Sequence, residues 1–220
     1  IVIIYALMSD GNFERRLLVT SLVCIWSFRL GMYLLFNRII GKEEDGRYKA
    51  LRSHWAQNAN RNFFFFFQSQ AILNLILSLP ILLIMQDSTE IFTNWDYLAV
   101  TLMITSIVGE SISDFQLAAW RKDPLNKGRS CRAGLWNYSR HPNYFFEWLH
   151  WWFYVFLAIS LPYGWLTVAA PLLMLYFLLR VTGIPYTELQ AVKSRGDDYR
   201  EYQRTTSAFV PWFPKKVRKE

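Results

Sequence analysis

The sequence has few of the residues on which metal and disulfide chemistry depend. It contains two cysteines, Cys24 and Cys131, and three histidines in 220 residues. The cysteines lie on different segments without a ligand spacing, so neither a disulfide nor a zinc site is predicted. Glu147 and His150 have the spacing found in di-iron bundles, but the second copy that such a site needs is missing. We therefore predict no metal site and interpret His150 as a hydrogen-bonded residue inside the fold.

The glycine-rich loops of soluble nucleotide-binding domains are missing as well. There is no GxGxxG and no Walker loop, so any dinucleotide would not be held as in a soluble Rossmann domain. The opening apolar run, Ile1–Ser9, lacks the basic region and cleavage pattern of a signal peptide. Because this run is about half as long as a membrane span, we expect that further residues precede it.

Lysine and arginine are absent from two long regions, Asn62 to Trp120 and His141 to Leu179. Apolar residues make up 53% of the chain and occur in blocks. A charge-poor apolar stretch of about 18–20 residues is long enough to cross a bilayer. The sequence therefore predicts one all-α, multi-pass membrane helix bundle over residues 1–220. The predicted spans are the end of one helix at Ile1–Ser9, followed by Leu17–Phe36, Phe63–Met85, Tyr97–Ser113, Tyr144–Leu161 and Trp165–Leu179.

The basic residues are concentrated in three segments, which predict the topology. Six lie in Arg38–Arg61, six in Arg121–Arg140 and nine from Arg180 onward; outside the predicted spans, only Arg15 and Arg16 break the pattern. By the positive-inside rule we expect cytosolic loops at about 37–62 and 114–142 and a cytosolic tail at 180–220. Basic residues in these positions set the topology and attract anionic lipids of the bilayer. They therefore account for the net charge of +7 without a nucleic-acid partner.

A polar stripe lies inside the predicted span Leu17–Phe36. Arg29, Tyr33 and Asn37 recur every four residues, and Trp26 lies on the same helical face. A charge at this depth costs about 2.5–3.5 kcal/mol, so Arg29 should face a polar cavity or a partner. The alternative is an internal salt bridge to a carboxylate of another span, Glu110 or Asp114.

A second polar group surrounds the start of the span Tyr144–Leu161. Pro142 stands where a helix is expected to begin, as proline prefers. Positive groups close to a helix N-terminus favour the binding of an anion. The polar residues of this region are Asp114, Arg121, Arg129, Arg140, His141, Asn143, Tyr144 and Glu147.

Several motifs along the chain match one known family. They are Arg47-Tyr48, Asp114, Gly134-Leu-Trp-x-Tyr-Ser-Arg-His-Pro-Asn-Tyr144, Glu147, Tyr199, Tyr202 and Ser207-Ala-Phe-Val-Pro-Trp-Phe-Pro214. In these motifs the chain resembles the steroid 5α-reductase family, in its largely bacterial-type branch, from about Leu17 to Pro214. The motifs are specific for the superfamily and much less so for the substrate. The resemblance implies seven membrane helices, of which about five and the end of another are present here.

The same resemblance implies a reaction and a cofactor. Members of the family hold NADPH in a cavity on the cytosolic side and transfer hydride to the β-carbon of an enone in a lipophilic substrate. The implied cofactor-binding residues are Arg29, Tyr33, Asn37, Asp114, Arg121, Arg129, Arg140, His141, Asn143, Tyr144, Glu147 and Arg180. Arginines suit this role because their paired donors bind pyrophosphate and a 2′-phosphate.

The sequence departs from the family pattern at three points. The family's acidic partner in proton donation belongs to an upstream segment, so the catalytic residues stay unassigned. Trp26 replaces a tyrosine that assists it, which suggests a substrate other than a steroid of the usual kind. Trp26 and Tyr33 are expected at the substrate end. Phe146 replaces a small glycine near the expected cofactor, which suggests an altered or lost cofactor site.

Two alternatives to the reductase stay open. The first is a membrane methyltransferase of the isoprenylcysteine type that uses S-adenosylmethionine, because such enzymes share the Arg-His-Pro-x-Tyr signature and a carboxylate such as Glu188. The arginines of the Asp114–Arg129 region favour the reductase, since a 2′-phosphate needs several of them. The second is a non-catalytic membrane subunit with membrane-protein partners, which Trp26 and Phe146 would fit.

Overall fold

The structure is a computed structural model that describes residues 1–41, 43–44, 46–90, 92–181 and 183–215. The side chains of the motif residue Arg47 and of Arg38, and residues 216–220 of the predicted tail, lie outside the described part. The helices are α1 (Val2–Met8), α2 (Phe13–Leu34), α3 (Gly46–Trp55), α4 (Ala59–Met85), α5 (Asn94–Lys122), α6 (Pro142–Ala158), α7 (Ala169–Tyr176), α8 (Ile184–Arg195) and α9 (Asp197–Thr205). The described residues contain no β-strand beyond a single bridge between Ser139 and Ser207.

Four helical stretches of the described chain are long and apolar enough to cross a membrane. They are Phe13–Asn37, Tyr48–Met85, Asn94–Lys122 and Gly164–Arg195. The prediction of a multi-pass, all-α membrane protein is therefore confirmed. The apolar helix α6 has 17 residues and ends at Ala158, three residues before the predicted end of its span. α5 instead continues nine residues past Ser113, so its last turns carry Arg121 and Lys122.

The chain divides into two compact units, Ile1–Ile91 and Phe92–Glu220. In the first unit α1 packs against α2 and α4. The Tyr5 hydroxyl and Ser78 Oγ, 2.9 Å apart, join α1 to α4. The two arginines that break the charge pattern, Arg15 and Arg16, form their polar contacts with residues of this unit.

Arg15 and Arg16 have structural partners near the start of α2. Arg15 is 3% exposed, and its Nε lies 3.2 Å from Oδ2 of the buried Asp87. Arg16 donates through Nη1 to the carbonyl oxygens of Ala6, at 2.7 Å, and Ser9, at 2.6 Å. Carbonyl groups at the end of a helix lack partners within it, and Arg16 satisfies two of them beside the end of α1. These local partners explain why Arg15 and Arg16 lie outside the three basic segments.

The second unit is organised around close packing of α5 on α6. The backbone of Gly109 on α5 lies directly against the ring of Phe146 on α6, and a Cβ at Gly109 would overlap that ring. The bulk of Phe146, one of the departures from the family pattern, is thus accommodated at a glycine of the neighbouring helix.

A tight turn follows α6 and reverses the chain. Tyr163 has a φ of 61°, and a Cβ at Gly164 would overlap the carbonyl oxygen of Ala158. Only glycine fits there without a shift of the backbone. Beyond the turn α7 packs on α6, and Trp148 Nε1 donates to the carbonyl oxygen of Pro171 at 3.0 Å.

Candidate functional site

Four of the predicted site residues lie on α2 and its continuation in the first unit. Trp26, Arg29 and Tyr33 are partly buried, whereas Asn37 is exposed. Asn37 donates through Nδ2 to the carbonyl oxygen of Tyr33 at 3.0 Å. The helix widens to a π-helical turn at Leu35–Ile39, so Asn37 lies in a distorted segment of the kind frequently found at functional sites.

Arg180 lies in the second unit, in a similar segment. α7 continues as a π-helical turn, Phe177–Val181, before α8 begins. Arg180 is exposed, and within the described residues no hydrogen bond or ion pair joins it to the other predicted site residues of this unit.

The start of α6 faces the buried carboxylates of α5. Asp114 is 4% exposed, and Asn143 Nδ2 lies 3.4 Å from its Oδ1. One turn along α6, Glu147 is partly buried, and its carbonyl oxygen lies 2.7 Å from Nδ1 of His150. His150 is 1% exposed, which confirms it as a hydrogen-bonded residue inside the fold. The structure therefore brings Asp114 and Asn143 together, with Glu147 and His150 continuing the polar face of α6.

A basic cleft of about 300 Å³ lies where α5 ends. Four cationic side chains line it: Arg121, Lys127, Arg129 and Arg195. Asp123 is the one carboxylate on its wall, and Cys131, a free and buried thiol, also lines it. An anion in such a cleft would meet charge and hydrogen-bond donors together, as phosphate groups require. The predicted residues Arg121 and Arg129 are thus brought to one site.

Arg140 is the centre of a cluster that we call the hub, formed with His141, Glu188 and Gln203. Arg140 Nε donates to Glu188 Oε1 at 2.7 Å, and Nη1 donates to the carbonyl oxygens of Gln203, at 2.9 Å, and Thr206, at 2.5 Å. Gln203 Nε2 donates to Glu188 Oε2 at 2.8 Å. Both oxygens of Glu188 are therefore occupied by side chains of this protein.

His141 and Tyr144 join the hub to the first turn of α6. His141 Nε2 lies 3.3 Å from Glu188 Oε1, and the imidazole stacks on the Tyr144 ring at 5.3 Å and 10°. The Tyr144 hydroxyl reaches Thr187 Oγ1 on α8 at 3.3 Å. Burial lowers the pKa of His141, although the neighbouring Glu188 opposes this shift. A neutral imidazole packed on an aromatic ring follows from that environment.

Some residues of this region had no assigned role in the predicted site. Arg195 is the last residue of α8, yet it lines the basic cleft. Asp198 on α9 accepts at 2.6 Å from the backbone nitrogen of Ser130, one residue after Arg129. Gln203 is equally remote in sequence from Arg140. No local periodicity marks these residues, because their neighbours come from segments more than sixty positions away.

The apolar helices define a multi-pass integral membrane protein, and a cleft lined by basic residues lies at the end of α5. Over residues 1–206 the chain matches the family described as "Protein of unknown function (DUF1295)". Because this match covers most of the chain, the protein belongs to that family. No curated protein and no solved structure matches it.

Proposed function

We propose that this protein is a membrane NADPH-dependent reductase of a carbon–carbon double bond conjugated to a carbonyl in a lipophilic, steroid-like or isoprenoid-like substrate. One observation carries the proposal: Arg121 and Arg129, expected from the resemblance to steroid 5α-reductases, line the same cleft as Lys127 and Arg195. A cofactor with a pyrophosphate and a 2′-phosphate needs several such groups. The single carboxylate, Asp123, leaves the cleft with a cationic excess.

The donor set at the start of α6 fits the rest of such a cofactor. Asp114 can accept from ribose hydroxyls, while Asn143 and Glu147 offer both donors and acceptors for a carboxamide. When bound, NADPH would supply hydride to the substrate β-carbon. The protein's part is to hold the cofactor and to polarise the substrate carbonyl.

The packing of Phe146 supports an enzyme over a non-catalytic subunit. A phenylalanine in place of a small glycine would count against a cofactor site if its ring filled the cavity. Its ring instead rests on the backbone of Gly109. Because a glycine of α5 takes up the bulk of this ring, Phe146 counts less strongly against a cofactor site.

A methyltransferase that uses S-adenosylmethionine is the second candidate. The observation in its favour is the contact of Glu188 with the Arg140-His141 signature, at 2.7 Å and 3.3 Å. The four cationic groups of the cleft favour the reductase, because S-adenosylmethionine carries no phosphate.

Ligand-dependent unfolding in detergent separates these candidates. A ligand present at 100 times its dissociation constant stabilises the native state by about 2.7 kcal/mol. We expect NADPH to raise the unfolding temperature and S-adenosylmethionine to leave it unchanged. Arg129→Ala should abolish the NADPH shift, whereas Arg200→Ala, at an exposed arginine of α9 that pairs with Asp197, should keep it. A shift with S-adenosylmethionine alone would refute the reductase, and no shift with either ligand would favour the non-catalytic subunit.

A further inference from the structure

A segment that we call the strap, Thr206–Phe213, runs back along the loop that leads into α6. Ser207 forms a parallel bridge with Ser139, and its carbonyl oxygen accepts from the backbone nitrogen of Arg140 at 2.8 Å. Ser139 Oγ donates to the carbonyl oxygen of Phe209 at 2.8 Å. Trp212 donates through its backbone nitrogen to the carbonyl oxygen of Tyr138 at 2.9 Å. The loop is therefore bonded to the strap at three successive residues.

The strap is fixed at its beginning by the side chain of Arg140. The guanidinium binds Glu188 on α8 and the carbonyl oxygens of Gln203 and Thr206 at the end of α9. The Arg140 side chain is 10% exposed and that of Glu188 15% exposed. Charged hydrogen bonds in such a partly buried place are stronger than surface ion pairs. Arg140 thus joins the loop before α6 to α8 and to the end of α9, whose bonded residues lie 48 to 66 positions further along the chain.

α9 holds the same loop from its other end. Asp198 accepts from the backbone of Ser130, and Arg132 Nη2 donates to the Asp198 carbonyl oxygen at 3.1 Å. The buried Tyr202 donates through its hydroxyl to the carbonyl oxygen of Trp136 and, at 3.2 Å, to that of Ser139. The loop from Ser130 to His141 therefore rests on α9 and the strap over its whole length.

This loop connects the two halves of the proposed cofactor site. Arg129 and Cys131 at its start line the basic cleft, and Asn143 follows two residues after its end. A shift of the loop changes the distance between the cleft and the start of α6. Misplacement of a binding group by about 1 Å is enough to cost about 100-fold in an enzyme.

We infer that Arg140 is a positioning residue and not a cofactor ligand: it anchors the strap, and the strap sets the distance between the basic cleft and Asn143. The inference rests on the proposed function for what the site binds. It assigns to Arg140 a role different from the direct contact that the sequence predicts. Nε and Nη1 of its guanidinium already donate to α8, α9 and the strap, whereas Arg129 on the cleft wall is exposed.

Two hub variants test the inference in the full chain. Glu188→Gln replaces the carboxylate that accepts from Arg140 and Gln203 with an amide. Arg140→Lys keeps the positive charge but loses the planar guanidinium group. Arg200→Gln is the matched control, because its exposed ion pair with Asp197 lies outside the hub. We expect both hub variants, but not the control, to lower the affinity for NADPH by about tenfold or more, which is about 1.4 kcal/mol.

A cross-link then separates positioning from direct contact. Tyr138 and Phe213 are exposed, and their rings lie 5.9 Å apart. Cysteines at these two positions, in a Cys24→Ser background, can be joined by a short bis-maleimide, because Cys131 is only 4% exposed. The hub variants should cross-link more slowly than the unaltered hub, since their strap is released. Once cross-linked, they should regain the affinity that the hub substitution removed.

Each outcome decides the inference. A loss of affinity that persists in fully cross-linked Arg140→Lys protein would mean that Arg140 contacts the cofactor, and the inference would be wrong. Unchanged affinity in a variant whose strap is released would overturn it too. Equal cross-linking rates in all variants would show that the hub does not hold the strap. If the unaltered protein binds no NADPH, the proposed function and the positioning role fail together, while the cross-linking rates still decide what anchors the strap.

Discussion

The two compact units use their polar residues in different ways. In the first unit 11% of the most apolar stretch of α2 is buried, and Arg15 and Arg16 bond to Asp87, Ala6 and Ser9 near the start of that helix. In the second unit 39% of the most apolar stretch of α5 is buried, and the hub joins residues up to 66 positions apart. The first unit is therefore built mainly for lipid, with local polar bonds, whereas the second unit surrounds a polar interior. Substitutions in each unit test this difference.

The largest expected effect falls on the first unit. Arg15→Gln removes the partner of Asp87 and leaves its carboxylate buried, and breaking a buried pair costs about 3–5 kcal/mol. Hydrogen exchange in detergent should rise in α1, α2 and α4 and stay unchanged in α5 and α6. The double variant Arg15→Gln/Asp87→Asn should recover part of the loss. Equal increases in both units would contradict the division into separately stabilised units.

A smaller effect is expected where α5 meets α6. Gly109→Ala forces a methyl group into the Phe146 ring, and such overpacking costs about 1–3 kcal/mol. Gly31→Ala on α2 is the matched control, because nothing lies within 4 Å of its Cβ position. That control should keep the gain of up to about 1 kcal/mol in helix propensity. Unfolding temperatures of the two variants measure the difference, and a Gly109→Ala protein as stable as Gly31→Ala would disprove the close packing.

The loop before α6 should be weakened by loss of one hydroxyl. Tyr202→Phe leaves the carbonyl oxygens of Trp136 and Ser139 without this donor, at a cost of about 1–3 kcal/mol. We expect faster proteolysis of this loop, measured by mass spectrometry. Tyr176→Phe, at a 58% exposed tyrosine of α7, should behave like the parent protein. Identical cleavage of both variants would remove Tyr202 from the group of residues that hold the loop.

The smallest effect concerns pH. Because burial lowers the pKa of His141 in the native state, the unfolded chain binds its proton first as the pH falls. Stability is therefore expected to be full at neutral pH and to decline below about pH 6.5, the usual value for histidine. One unit of pKa difference corresponds to about 1.4 kcal/mol. In His141→Gln the decline of the unfolding temperature between about pH 7.5 and pH 5.5 should be shallower, and an unchanged slope would argue against the shift.

The sequence predicts the lipid-facing helices well, but it predicts little of the polar interior of the second unit. Lipid-facing helices follow from hydropathy and from the positions of Lys and Arg, because each span is read from consecutive residues. Arg121 and Arg129 could be assigned to one site, since they lie only eight positions apart. The contacts of Arg140 with Gln203 and Thr206 could not be foreseen. They depend on how α8, α9 and the strap fold back, and an arginine before a proline-started helix suggests an anion site equally well.

The strap has a consequence for how the protein is made. The bond from Ser139 to Phe209 joins residues 70 positions apart, and such distant contacts form late because the chain must close a long loop first. Every predicted span precedes Arg180, so the helices can enter the bilayer before Phe209 leaves the ribosome. A chain interrupted between these points would be fully inserted and yet have no closed loop before α6. We therefore expect membrane insertion and closure of the loop by the strap to be separate steps, so that a check of insertion alone would not detect a missing strap.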